Sequence, residues 1–242
     1  MDVSAAQWIG KREHQEDAYA VRHYPHGLLV VVCDGMGGHQ QGSMASKVAV
    51  DAFVAAFEKA GSGPVSHRLS DALAAANAAV GVAFERCSSY GGTTLVAAYV
   101  GAGVIWWISV GDSPLFLWRH HRLMRLNADH SMRAIFSEFV RAGSLSYEEA
   151  MNQGHLLRSA VTGEALTMVD APPTPYPLLP GDRIILSTDG VDDLLLPASL
   201  PTSTRELLDT RDAPLSPLIV EACQRLEDPS ADNVTVICLD WR

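Results

Sequence analysis

Four apolar, strand-like runs of this chain each carry an aspartate at one end: Leu28 to Asp34, Val104 to Asp112, Ile184 to Asp189, and Asp232 to Ile237. Apolar runs of this length bounded by Gly or Asp read as buried strands. A carboxylate at such a tip sits on a rigid element where the core opens to solvent. Singly, Asp34-Gly35 or Asp189-Gly190 reads as a turn, because both residue types tolerate positive φ. Four converging tips would repel one another, and hard cations are the usual means of holding such carboxylates together. No His/Cys cluster has zinc spacing, so an all-oxygen site for Mg²⁺ or Mn²⁺ is the expectation. Two such ions about 3.5–4 Å apart can share a water, lower its pKa and aim it at phosphorus. Asp34 is best placed to bridge them, with the Gly35 carbonyl beside it. Asp189 and Asp232 would complete the site, the alternative for each being a helix or turn cap.

Arg12 is the best candidate to clamp a phosphate, since its planar fork can meet two phosphate oxygens at once. Its alternative is a solvated arginine in a polar loop. His39 follows a Gly-rich turn and could donate a proton to a leaving oxygen, or could simply order that turn. The segment from Gly35 to Gly42 is not a nucleotide loop, because it lacks Gly-Lys-Ser/Thr and its glycines miss the dinucleotide spacing.

The elements that must position these groups follow from the remaining pattern. Two short strands between Ala5 and Val21 flank the polar segment from Lys11 to Glu16. A helix carries Met44, Val48, Phe53 and Phe57 at helical spacing with Ser43 as N-cap, and a second carries Leu69, Leu73, Ala76, Val80 and Phe84, weakened by Gly81. A strand meander runs from Thr93 to about Leu126. Helices are expected from Ser131 to Ala142, from Ser146 to about Val161, and from Pro217 to Leu226, before a last strand from Asn233 to Leu239. Strand and helix runs are segregated rather than strictly alternating, which favours stacked antiparallel sheets with helices outside. Weak polar alternation within the strands fits sheets covered on both faces.

The 242 residues suit one domain, 1–242, with a full core. A net charge of -10 argues against a nucleic-acid surface. Cys33, Cys87, Cys223 and Cys238 form no C-x-x-C, and Cys33 and Cys238 read as core residues. There is no basic-then-apolar leader and no run long enough to span a membrane. The expectation is a reduced, cytoplasmic monomer that binds neither nucleic acid nor membrane.

Seven motifs then occur in order: Arg12-Glu13-His14-Gln15-Glu16-Asp17, Asp34-Gly35-Met36-Gly37-Gly38-His39, Gly92-Thr93-Thr94, Gly111-Asp112-Ser113, Asp129-His130-Ser131, Ser187-Thr188-Asp189-Gly190 and Asp232-Asn233-Val234-Thr235. Together they resemble the type 2C metal-dependent serine/threonine protein phosphatases of the bacterial kind. The resemblance implies an α+β fold, a four-layer αββα sandwich of two mainly antiparallel sheets flanked by helices, with the metals at one end. It implies a hydrolase for phosphoserine and phosphothreonine on proteins, acting by direct attack of a water bridging two Mn²⁺ or Mg²⁺ ions and reversing a cognate serine/threonine kinase in bacterial signalling. By motif, Asp34 and the Gly35 carbonyl match the bridge, Asp189 and Asp232 the other ligands of one ion, and Glu16 and Asp17 the acidic pair on metal waters. Arg12 matches the phosphate-binding arginine, and Asp112 with Asp189 a third, weaker metal position. Residues 131–163 resemble a helical flap that would contact substrate.

Three departures from the pattern stand out. Gln15 replaces the usual Asn, a longer amide beside the acidic pair. Pro114 stands where many members have Arg, which removes a cation and a backbone donor and puts the third metal position in doubt. Met36 occupies the place of a histidine proton donor in animal relatives, leaving His39 as the candidate acid, with water as the alternative. Two other readings compete: a catalytically dead member that binds phosphoprotein, and an unrelated metal-dependent hydrolase on another fold. The retained Asp34, Asp189 and Asp232 speak against the first, and Arg12 with the flap-like segment against the second.

Overall fold

The computed structural model describes residues 1–38, 40–146, 156–196 and 199–242. One sheet orders β1 (Asp2–Trp8), β11 (Val234–Asp240), β10 (Arg183–Ser187), β7 (Leu115–Arg119) and β8 (Arg122–Arg125). The other orders β2 (Asp17–Tyr24), β3 (Gly27–Met36), β5 (Leu95–Gly101), β6 (Val104–Val110) and β9 (Tyr176–Pro177), with β4 (Gly92–Thr93) pairing on β3. Every pairing between these strands is antiparallel. Helices α1 (Gln40–Lys59) and α2 (Val65–Cys87) cover one outer face, and α6 (Leu215–Arg225) the other.

The side-chain period of two explains the uninterrupted apolar runs. Along β3, Leu28, Val30 and Val32 point between the sheets, whereas Leu29, Val31 and Cys33 meet α1 and α2. Along β11, Ile237 and Leu239 point inward, and Val236 and Cys238 pack with Ile219 and Cys223 of α6. With both faces covered, neither parity is left for polar residues. The result is the expected α+β sandwich of four layers. All four cysteines are free, and Cys33, Cys223 and Cys238 are buried.

Several elements differ from expectation. Ser43 is not an N-cap, because α1 begins at Gln40 and Ser43 lies within it. Gln40, Gln41 and Gly42 carry no apolar periodicity, so the first turn is silent in sequence. α3 (Arg133–Arg141) falls inside the helix expected from Ser131. Of the helix expected from Ser146 to Val161, residues 147–155 lie outside the described residues. Residues 156–161 are not helical, since Leu157 bridges Ser131 and Val161 bridges Thr93. Two short helices, α4 (Asp192–Leu195) and α5 (Thr202–Asp209), were not read from the sequence.

Gly81 does not merely weaken α2. A Cβ there would fall 2.8 Å from the Gly163 Cα, where the chain crosses the helix. Gly81→Ala should therefore destabilise the protein by about 1–3 kcal/mol through overpacking. Helix propensity alone would stabilise it by about 1 kcal/mol. Urea denaturation checks the sign.

Candidate metal centre

The strand ends converge as the sequence suggests. Pairing of β2 with β3 sets Asp17 opposite Asp34. Pairing of β10 with β11 places Ser187 opposite Val236, so Asp189, just past β10, and Asp232, just before β11, emerge side by side. Asp112 follows β6, two residues beyond the Leu95–Val110 pair. The stacked sheets thus open onto one cleft of about 530 Å³, whose lining includes Arg12, Glu16, Asp34, Gly35, Asp112, Asp189 and Asp232. Asp17 lies just behind that wall and is buried. Gly35 is required by close approach, since a Cβ would strike the carbonyls of Gly42 on α1 and of Glu16.

Hydrogen bonds fix the wall from behind. Thr235 and Thr188 donate to Asp17 Oδ2 at 2.7 and 3.0 Å, and the Thr235 amide donates to Thr188 Oγ1 at 3.0 Å. This lashes β2 of one sheet to β10 and β11 of the other. The Asp34 amide donates to Thr94 Oγ1, which lies 2.6 Å from Ser113 Oγ, and Thr93 Oγ1 donates to the Asp34 carbonyl. Asn233 accepts from the Glu16 amide at 2.7 Å and donates to the carbonyls of Ile9 and His14, holding the Arg12 loop against β11. Gln15, the longer amide, accepts from the Asp17 amide at 3.1 Å. Thr235→Val should cost about 1–3 kcal/mol, the usual effect of stripping a buried polar group of its partner. Thermal unfolding of the metal-free protein measures it.

The wall concentrates negative charge at the end of a dry core. Burial, and then repulsion from Asp17, Asp189, Asp232 and Asp112, pushes the Asp34 carboxyl well above its ordinary range. Burial raises Asp17 to about 7 against the pull of its threonine bonds. Burial, with repulsion from Asp189 and Asp129, raises Asp112 to about 7. Asp189 is raised by burial and by repulsion from Asp232. Asp17 Oδ1 is buried without a hydrogen-bond partner.

These features suit hard divalent cations: the donors are all oxygen, the carboxylates repel one another, and a buried carboxylate oxygen lacks a partner. Among the described residues no three acidic, histidine or cysteine side chains are drawn into a closed ligand cluster. The carboxylates line an open cleft instead, which suits ions that keep part of their water. Asp34, the Gly35 carbonyl, Asp189 and Asp232 are the groups that could hold them, with Asp17, Glu16 and Asp112 at the margins.

Arg12 stands at the rim, with its guanidinium 2.6 Å from Asp232 and more than half exposed. His39 lies outside the described residues. Pro114 lacks the donor but keeps its acceptor in use, since its carbonyl accepts from the Ser187 amide. A cation reaches this corner from elsewhere, since Arg125 donates to the Asp112 carbonyl at 2.7 Å and to Asp129 at 3.0 Å. The sequence reading assigned no role to Thr94, Ser113, Thr188, Asn233 or Thr235, although all lie within the motifs. It passed over Arg125, Arg133 and Asp192 altogether; the Arg133–Asp192 pair joins segments 59 residues apart and leaves no local signal.

A sandwich with a carboxylate-lined cleft at the strand ends defines a class of metal-dependent hydrolase, and comparison with known proteins agrees. The pattern of the family described as protein phosphatase 2C matches residues 6–235. The chain belongs to the protein phosphatase 2C family and is a phosphoprotein phosphatase. The serine/threonine phosphatase stp of Listeria monocytogenes is 28% identical over 238 residues, 95% of this chain and 91% of that one. The solved structure of the Mycobacterium tuberculosis serine/threonine phosphatase PstP/Ppp superposes with a TM-score of 0.77 at 26% identity, covering 100% of this chain and 98% of the other. The catalytic domain of PstP in complex with two manganese ions superposes with a TM-score of 0.76 at 27% identity, covering 99% and 97%.

Proposed function

We propose that this chain is one catalytic domain, 1–242, of a Mn²⁺- or Mg²⁺-dependent phosphatase for phosphoserine and phosphothreonine on proteins. The observation that carries the reading is the convergence of Asp34, Asp112, Asp189 and Asp232 on one cleft with Arg12 at its rim. Relatives named as serine/threonine phosphatases and a structural neighbour solved with two manganese ions support it.

When bound, two divalent ions would supply an activated water and offset the phosphate charge. The chain's own groups do the rest. Asp34, the Gly35 carbonyl, Asp189 and Asp232, all from residues lining the cleft, would hold the ions. Thr188 and Thr235 fix Asp17 Oδ2 behind Asp34 and leave Oδ1 as an unused acceptor beside the site. Arg12 meets the phosphate. Its pair with Asp232 is solvent-exposed, and such pairs are worth no more than about 1 kcal/mol, so the guanidinium can turn to substrate at small cost. Water attacks phosphorus and gives up a proton to solvent, the bond from phosphorus to the serine or threonine oxygen breaks, and that oxygen takes a proton from His39 or from solvent. No covalent bond to the enzyme is needed. Arg12→Ala should raise KM more than it lowers kcat, as measured with a phosphothreonine peptide.

The physiological setting we infer is a cytoplasmic monomer opposing a serine/threonine kinase, with residues 131–163 contacting substrate. No described helix is long and apolar enough to cross a membrane. The test is phosphate release from phosphoserine and phosphothreonine peptides before EDTA, after it, and after Mn²⁺ is restored. Loss followed by recovery is expected. Full turnover in EDTA would overturn the reading.

A further inference from the structure

A pocket beside the cleft, sharing Asp189 and Asp232 with it, carries its own cation. Arg133 opens α3, and its guanidinium lies 2.8 Å from Asp192 Oδ2 and 4.0 Å from Asp129 Oδ2. Asp192 begins α4, three residues after Asp189, and its other oxygen is buried without a hydrogen-bond partner. Arg133, Asp189 and Asp192 line one pocket, and Asp129, which pairs with both Arg133 and Arg125, ties the cation to the Asp112 backbone, where Arg125 donates to the carbonyl. Arg125 is held on the far side of Asp129, with its nitrogens donating to Asp129, Asn127 and the Asp112 carbonyl. Arg12 pairs with Asp232 instead. One guanidinium thus stands in the cleft and another in the pocket beside it, while Asp34 has none within ion-pair distance among the described residues.

We propose that Arg133 is a tethered counter-ion for the Asp112–Asp189–Asp192 flank, so that the cleft takes two divalent ions where the carboxylates alone would invite a third. This rests on the metal-dependent reading above and specifies the ion count within it. The physical ground is repulsion: a fixed positive charge among the same carboxylates neutralises the field that would draw a dication there and opposes its entry. Half-buried and fixed at one end by Asp192, the guanidinium needs no binding entropy that a free ion would have to lose.

The test is equilibrium dialysis against Mn²⁺ with metal analysis of the protein, for wild type, Arg133→Gln, Arg133→Lys and Asp192→Asn. Wild type should hold two ions. Arg133→Gln should hold a third, bound at least on the order of tenfold more tightly than any third ion in the wild type. Arg133→Lys, which keeps the charge, should behave as wild type. Asp192→Asn removes a carboxylate while retaining the cation and should leave the count at two. The two central ions serve as an internal check of folding in every variant. The same count and affinities in wild type and Arg133→Gln would overturn the inference alone. A wild type that binds no Mn²⁺ would overturn the metal reading and this inference with it.

Discussion

Asp34→Asn should lower kcat at saturating Mn²⁺ by at least about a thousandfold, because the ions supply several kcal/mol of transition-state stabilisation and each 1.4 kcal/mol or so is tenfold. The substitution is nearly isosteric, and the Asp34 backbone keeps its bonds to Thr94 and Thr93. The same change should leave the metal-free protein as stable as wild type or more so. Asp34 is the carboxyl pushed up by burial and by four neighbouring aspartates, and an amide escapes that repulsion. Loss of turnover with an unchanged or higher Tm in EDTA separates a functional role from damage to the fold. A fall in Tm as large as that of a core truncation would mean that Asp34 serves structure.

The metal-free protein should lose stability as pH rises from about 4 to about 7. Asp17 and Asp112 titrate near 7 when folded, against an ordinary 3.8, so in this window the folded chain holds protons that the unfolded chain has released. Their contribution is fully present below the unfolded value and is lost as pH passes the folded one. Allowing for water in the open cleft, the loss should be a few kcal/mol, or roughly 5–10 °C in Tm for a chain of this size. Mn²⁺ competes with those protons and binds the folded state, worth about 2.7 kcal/mol at a hundredfold excess over Kd. Its stabilisation should thus be small at pH 5 and large at pH 8. Thermal melts in EDTA and in Mn²⁺ across this range check both slopes. A pH-independent Tm in EDTA, with the same Mn²⁺ gain throughout, would contradict the charge distribution described here.

What was legible in the sequence was whatever is written into one segment at a time. β3, β6, β10 and β11 announce themselves because both of their faces are covered, and their aspartates are adjacent in sequence to those apolar runs. The α2 stripe of Leu69, Leu73, Ala76, Val80 and Phe84 is buried as its spacing suggests. Where periodicity misled, a different force decided. The stretch after Ser146 carries helix-forming residues, yet residues 156–161 run extended because Thr93 and Ser131 offer them backbone partners. Ser43 looked like a cap because the turn before it is polar and gives no apolar signal. The supports of the site were hidden for a further reason. Thr188 and Thr235 meet Asp17 only through the stacking of two sheets, and Arg133 meets Asp192 across 59 residues of chain.

The most direct measurement is phosphate release from a phosphothreonine peptide by wild type and Asp189→Asn across a Mn²⁺ titration, with bound Mn²⁺ determined on the same samples. The account predicts that wild-type turnover rises with ion occupancy, and that Asp189→Asn, still folded, both binds less Mn²⁺ and fails to turn over. Wild-type levels of turnover by Asp189→Asn, or turnover by wild type without bound metal, would contradict the assignment of the carboxylate cleft as the metal centre of this phosphatase.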